Sequence, residues 1–285
     1  MKNLVDSFHT GIFRRAMLEA TLIGAIAAVV GVHVVLRRLS FFVVAMSHAT
    51  FPGVVLASVI GFSLFVGGTG FGLLVVAVVL LLGAKKALDD ASIVGVVLAG
   101  SFALGVLLLS ARPGSSTDLS AFLVGDVLNV KDSDVMTTAV VGVVVLLGLA
   151  LVHKEIMLGA FDRTGASALG YRTWVLDGIV LVAVTVVMSA AVPAVGTLLA
   201  VALLTVPAMA ARVWTDRIGP TFAIAAGIGA LSGVVGLSAA AIWSIAAGGA
   251  IALTTGACFV ISVAATSLRA WLLRRQVAVA PLGAA

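Results

Sequence analysis

Apolar residues fall along this chain in blocks as long as a membrane is thick, parted by short polar interruptions. Runs such as 73–83 and 140–152 exceed what a water-soluble core can bury. A transmembrane helix needs about 20 mostly apolar residues. By that measure the pattern predicts spans near 17–36, 41–65, 70–84, 91–110, 135–153, 174–192, 195–213, 219–241 and 248–268. The 70–84 stretch is short, and Pro193 and Pro207 interrupt the 185–213 region. The expected fold is therefore an all-α, polytopic membrane bundle of about 8–9 transmembrane helices. No connecting stretch has room for a soluble domain, so residues 1–285 are expected to form a single transmembrane domain. Residues 1–15 are mixed polar and the apolar stretch after them is of full span length, which predicts a retained span, with no cleaved leader.

Composition agrees: 62% of the 285 residues are hydrophobic and 10% charged, against about 25% charged in soluble domains. The mean hydropathy is +1.26. The net charge of +5 comes from basic residues paired at span ends, a pattern that orients helices and does not track phosphates, so no nucleic-acid partner is expected. Arg37, Arg38, Lys85, Lys86, Lys154, Arg163, Arg172, Arg212, Arg217, Arg269, Arg274 and Arg275 collect on one face of the predicted topology, and Lys2, Arg14, Arg15, Arg112 and Lys131 on the other. The larger set predicts the cytoplasmic side and places the C-terminus there. With nine spans the N-terminus lies outside, where its own basic residues sit awkwardly. Cys258 is the one cysteine, which excludes a disulfide framework or a thiolate metal cluster. Glycines such as Gly227, Gly229, Gly233 and Gly236 suit close backbone packing of helices.

Two connections stand out. Residues 111–134 are expected to face outward and hold Asp118, Asp126, Asp132 and Asp134, which could concentrate cations at a funnel or be an ordinary solvated loop. Residues 154–173 are expected to face the cytoplasm as a short amphipathic helix broken by Gly159, Gly165 and Gly170. Gly67, Gly68, Gly70 and Gly72 read as an outer turn.

Ionisable groups at membrane depth are costly and therefore informative. Glu19, His33 and His48 lie there, with Asp177 near a span end. His33 precedes Arg37 by one turn, which suggests a structural residue reaching the interface. His48 stands in Ser47-His48-Ala49-Thr50-Phe51-Pro52-Gly53, midway through an apolar segment. Pro52 frees the carbonyl four residues back, and broken helices at membrane depth line cavities or paths. A neutral imidazole suits Zn, Mn or Fe, so His48 is the candidate metal ligand, against the alternative of a histidine bonded to a neighbouring helix. The chain has no phosphate-cradling G-x-x-x-x-G-K-[ST] and no H-E-x-x-H, and Ser47 and His48 diverge on a helix. Neither ATP hydrolysis nor proteolysis is expected of it, and it is read as a transport subunit and not an enzyme.

Several segments together resemble a known family. Leu36-Arg37-Arg38, Ser47-His48-Ala49 and Pro52-Gly53-Val54 are similar to the second-span signature of the zinc/manganese/iron-type ABC transporter permeases, the ABC-3 membrane subunits. The likeness continues in Asp89-Asp90-Ala91-Ser92-Ile93-Val94-Gly95, Gly100-Ser101-Phe102-Ala103-Leu104-Gly105 and Phe122-Leu123-Val124-Gly125-Asp126-Val127-Leu128. Phe161-Asp162, Ala168-Leu169-Gly170 and the run from Ala194-Val195-Gly196-Thr197 to Pro207-Ala208 complete it, in order over roughly 17–268.

The resemblance implies a homodimeric permease in a bacterial plasma membrane. Its partners would be two cytoplasmic ATPase subunits, which bind the ATP, and an extracytoplasmic metal-binding protein that delivers the ion. It implies no permanently bound cofactor, the divalent metal (manganese, zinc or iron) being cargo. It implies that Phe161, Asp162, Arg163, Ala168 and Gly170 belong to a coupling helix docking on the ATPase, with His48, and Asp126 in the outer loop, along the metal's route. Two positions depart from the family. Val44 stands where an aspartate usually lies one turn before the histidine, so the usual Asp–His pair cannot form; Met46, Ser47, Glu19 and Asp126 are the available substitutes. Pro193 replaces a residue that is often polar. The missing aspartate keeps open a permease for an organic chelate, such as a siderophore or cobalamin-like cofactor. A proton-coupled secondary transporter is a further alternative, disfavoured by the near absence of acids inside the spans.

Overall fold

The computed structural model describes residues 11–83, 89–111, 125 and 127–279, with backbone alone at residues 128 and 273–279. The described residues form helices and short links, with no strand among them. In order these are α1 (Gly11–Leu36), α2 (Ser40–Ala49), α3 (Phe51–Ile60), α4 (Leu64–Gly83), α5 (Asp90–Ser110) and α6 (Asp132–Leu151). Then come the short α7 (His153–Phe161) and α8 (Arg163–Ala168), followed by α9 (Thr173–Val195), α10 (Thr197–Trp214), α11 (Ile218–Trp243) and α12 (Ala247–Val279). Among the described residues nine helical segments are long and apolar enough to cross a membrane, α2 and α3 counting together as one. They coincide in order with the nine predicted from apolar blocks.

Burial separates the spans into an inner and an outer set. In α1 and α9, 67% of the most apolar window is buried, against 22% in α4 and α5 and 17% in α6 and α12. The central helix α1 packs along α11, α10 and α6, and α9 packs on α4 and α6. Small residues allow this closeness: Gly24 of α1 lies against the Gly229 backbone of α11, Gly31 against Leu204 of α10, and Gly233 against Ala20. A Cβ at any of these would meet a neighbouring backbone, as expected where helices associate through small residues. Gly236 does the same toward Ile251 of α12, whereas Gly227 has open space around it and takes no part.

The glycine cluster at 67–72 is a correction to the expected turn. It lies inside α4, which begins at Leu64, so the short predicted span is a helix of 20 residues. Gly67 crosses Gly53 of α3 backbone to backbone, and Gly72 accommodates the Thr185, Thr50 and Met46 side chains. The true turn is Gly61–Ser63, with Gly61 at φ +86° closing α3.

Successive spans alternate in direction, so Arg37, Lys154, Arg163, Arg172, Arg212 and Arg217 gather at one end of the bundle. Arg15 and Asp132 pair at the other, at 2.6 Å. At the first end a tight link joins α1 to α2. Arg38 takes φ +59°, and Leu39 donates its N–H to the Val34 carbonyl at 2.9 Å.

Candidate functional site

Helix α2 is amphipathic in an unusual sense: both faces are apolar, but only one is covered. Phe42, Val43, Ala45, Met46, Ser47 and Ala49 turn into the bundle and are buried. On the opposite face at helical spacing, Phe41 and Val44 are exposed and His48 is half-buried. Val44 is 39% exposed. On α3, Leu56 is exposed as well. The two helices are parted at Thr50 alone, where Pro52 at the start of α3 interrupts the hydrogen-bond ladder as the sequence suggested.

On this open face His48 has its ring edge-on to Phe102 of α5 at 5.7 Å between centroids, and Phe102 in turn packs on Phe51 at 5.9 Å. Its Nδ1 has no hydrogen-bond partner. The alternative of a histidine satisfied by a neighbouring helix is not supported at that atom.

None of the described candidates for the missing aspartate completes a ligand set. Met46 is fully buried on the other face of α2, its methyl near Gly72. The Ser47 hydroxyl donates to the Val44 carbonyl at 2.8 Å, and the Thr50 hydroxyl donates to that of Met46 at 3.2 Å. Glu19 is wholly buried, and its Oε1 accepts a 2.6 Å hydrogen bond from the Thr138 hydroxyl of α6. Asp126 and Asp118 lie outside the described residues. The other two acids of the outer connection serve locally: Asp132 pairs with Arg15, and Asp134 accepts from the Lys131 N–H at 2.9 Å, capping α6. Among the described residues no three His, Cys, Asp or Glu side chains could jointly hold a metal. One subunit thus offers a lone imidazole, with an apolar Val44 one turn away.

The second candidate region is the 154–173 connection, which folds as two helices. Asp162 caps α8 by accepting the Gly165 N–H at 2.7 Å, and Gly165 leaves room for that carboxylate. The turn after α8 closes through Gly170 at φ +87°, with the Tyr171 N–H on the Ala166 carbonyl at 3.0 Å. Ala166 is buried, while Phe161, Ala168, Leu169, Gly170 and Tyr171 are exposed. Of the residues predicted to dock, Phe161, Ala168 and Gly170 do face outward, and Asp162 shapes the helix. Arg163 donates to Asp177 of α9 at 2.8 Å. Leu169 and Tyr171 add large exposed side chains to the same turn, a feature signalled in the sequence by their place beside Gly170.

Behind this loop lies a polar network built from residues at the ends of separate spans. Arg37, with a side chain only 5% exposed, reaches Asp177 with Nη1. Its Nη2 donates to the Ile156 carbonyl of α7 at 2.8 Å. Burial pulls the guanidinium below its ordinary pKa, and the Asp177 carboxylate opposes that shift. One turn back, His33 is buried inside the bundle. It packs on Phe222 of α11 and on His153 of α7, at ring distances of 5.0 and 5.9 Å.

This arrangement has relatives. The manganese import system permease protein ScaB of Streptococcus parasanguinis is 33% identical over 258 residues, 90% of this chain and 91% of ScaB. The zinc transport system membrane protein TroC of Treponema pallidum is 31% identical over 245 residues, 83% of this chain and 82% of TroC. Among solved structures, PsaBC from Streptococcus pneumoniae in complex with Fab superposes with a TM-score of 0.82 at 31% identity, covering 91% of this chain and 94% of the PsaBC chain. With the family match spanning residues 9–266, this multi-pass membrane protein belongs to the ABC 3 transport family.

Proposed function

We propose that this chain is the membrane permease subunit of an ATP-driven importer for a divalent transition metal, manganese or zinc, in a bacterial plasma membrane. It forms one transmembrane permease domain over its whole length, with the α7–α8 end and the C-terminus cytoplasmic. Two copies face each other across the exposed Phe41 and Val44 face of α2. The metal, delivered by an extracytoplasmic binding protein, passes between them at the level of His48. ATP binding and hydrolysis reside in cytoplasmic partner subunits, which dock on α7–α8 through Phe161, Leu169 and Tyr171. The full-length similarity to ScaB and TroC supports the cargo class.

The observation that carries the route is His48 itself. A half-buried imidazole beside an uncovered helix face, with a buried and unpaired Nδ1, is costly in hydrocarbon and is accounted for by a path that a second copy completes. Pairing two such faces would set one imidazole on each side of the path. Neutral imidazoles bind borderline divalent metals while leaving most of the coordination sphere to water, which suits an ion that must leave as readily as it enters. Entry would be through the outer connection, where Asp126 adds negative charge.

Val44 favours a second reading, a chelate permease, since an organic complex needs width and no ligands. Cell-associated manganese, iron and zinc, measured by elemental mass spectrometry after deletion of the gene under metal limitation, separate the two. The metal reading expects one metal to fall, to return with the wild-type gene and to stay low with expressed His48→Ala. Recovery with His48→Ala would keep transport and discard the site. No change in any metal, with other importers removed, would favour the chelate.

A further inference from the structure

The link between α1 and α2 carries two arginines, and the structure treats them differently. Arg38 is exposed, while the Arg37 side chain is folded back into the protein. Its guanidinium touches two other elements at once, Asp177 at the start of α9 and the Ile156 carbonyl in α7. Asp177 is itself shared: its second oxygen accepts from Arg163 of α8 at 2.8 Å. Gly159 of α7 leaves room beside Arg37 Nη2, where a Cβ would lie 3.4 Å away. The α1–α2 link, α7, α8 and α9 thus meet at one guanidinium and one carboxylate.

We propose that Arg37 is a positioning residue that transmits displacement of α7–α8 to the helix carrying His48. This rests on the reading of α7–α8 as the ATPase dock. The lever is short and stiff. The link is three residues long, with Arg38 at φ +59° and hydrogen bonds from Arg38 and Leu39 back to Val35 and Val34. From Ser40 the chain is continuous helix to His48, about 12 Å along the axis. A displacement of α7 moves the Ile156 carbonyl, and with it the Arg37 side chain and the start of α2. Asp177 supplies the fixed point, because α9 is one of the two most buried spans. The two-pronged contact needs a planar fork: a lysine supplies the charge as a point and cannot bridge both acceptors in this fixed geometry. Half-buried and held by the buried Arg37 guanidinium, the carboxylate is screened by salt less than an exposed surface pair would be.

The test uses the assembled transporter in proteoliposomes, this chain with its ATPase subunits and delivery protein. ATP hydrolysis and manganese uptake are read in the same preparation. Arg37→Ala and the nearly isosteric Asp177→Asn are expected to keep hydrolysing ATP while ions moved per ATP fall by ~10-fold, a typical coupling between sites. Arg37→Lys is expected to recover only part of that ratio. Arg38→Ala, which removes a neighbouring exposed charge, is expected to match wild type. If Arg37→Ala complexes move as many ions per ATP as wild type, the proposal is overturned. It is equally overturned if hydrolysis and uptake fall in proportion in assembled complexes, because the network would then only hold the fold or the dock. Should Arg37→Ala fail to insert, Asp177→Asn carries the same decision. Phe161→Ala and Leu169→Ala test the dock separately: unchanged ATPase association in both would remove that reading whatever Arg37 does.

Discussion

Val44 and His48 occupy one face of α2, one turn apart, and among the described residues no three His, Cys, Asp or Glu side chains gather to hold a metal. Restoring a carboxylate there has a clear expected effect. Val44→Asp would place a hard oxygen next to a borderline nitrogen, and the purified permease should retain manganese or zinc that the wild type releases on washing. Metal content by elemental analysis measures this. Retention that persists in Val44→Asp with His48→Ala would show that the imidazole is not part of the site. The sequence made His48 conspicuous because a lone polar residue stands out in an apolar run. It could not show that Met46 points to the opposite side, that Ser47 is spent on the Val44 carbonyl, or that Glu19 is committed to Thr138, since those depend on which helices become neighbours. Arg37 and Asp177 were both visible as charges at span ends. Their pairing joins positions 140 residues apart.

At the scale of elements, the glycines at 67–72 show where composition misleads. In a soluble chain such a cluster marks a turn. In a membrane helix the same residues permit backbone contact, and Gly67 uses that freedom against Gly53. Gly67→Val should therefore force α3 and α4 apart and destabilise the protein by ~1–3 kcal/mol, the usual cost of overpacking. Thermal unfolding of the detergent-solubilised protein reads it out, with Gly70→Val, at a position with open space, as the control. Equal transitions in the two variants would contradict the close crossing. The 154–173 connection was legible as helical and glycine-broken. That it forms two helices with Leu169 and Tyr171 exposed was not, because burial of Ala166 against the rest of the loop decides which face turns out.

For the whole molecule, hydropathy alone delivers the span number and order, because a bilayer leaves few alternatives to helices of a set length. What it leaves open is which spans are central, and here small residues decide: α1 is drawn in by Gly24 and Gly31. The resulting bundle surrounds α1 and α9, and the proposed route lies between two copies, at the exposed Phe41 and Val44 face of α2, and not through one. The most direct measurement of that claim is ATP-dependent uptake of radioactive manganese or zinc into proteoliposomes holding the complete transporter, with wild type and His48→Ala side by side. Uptake is expected to require ATP and the delivery protein, and to fall by ~10-fold or more in His48→Ala, roughly the effect of losing one specific contact of 1.4 kcal/mol or more. Undiminished uptake by a fully assembled His48→Ala complex would contradict it.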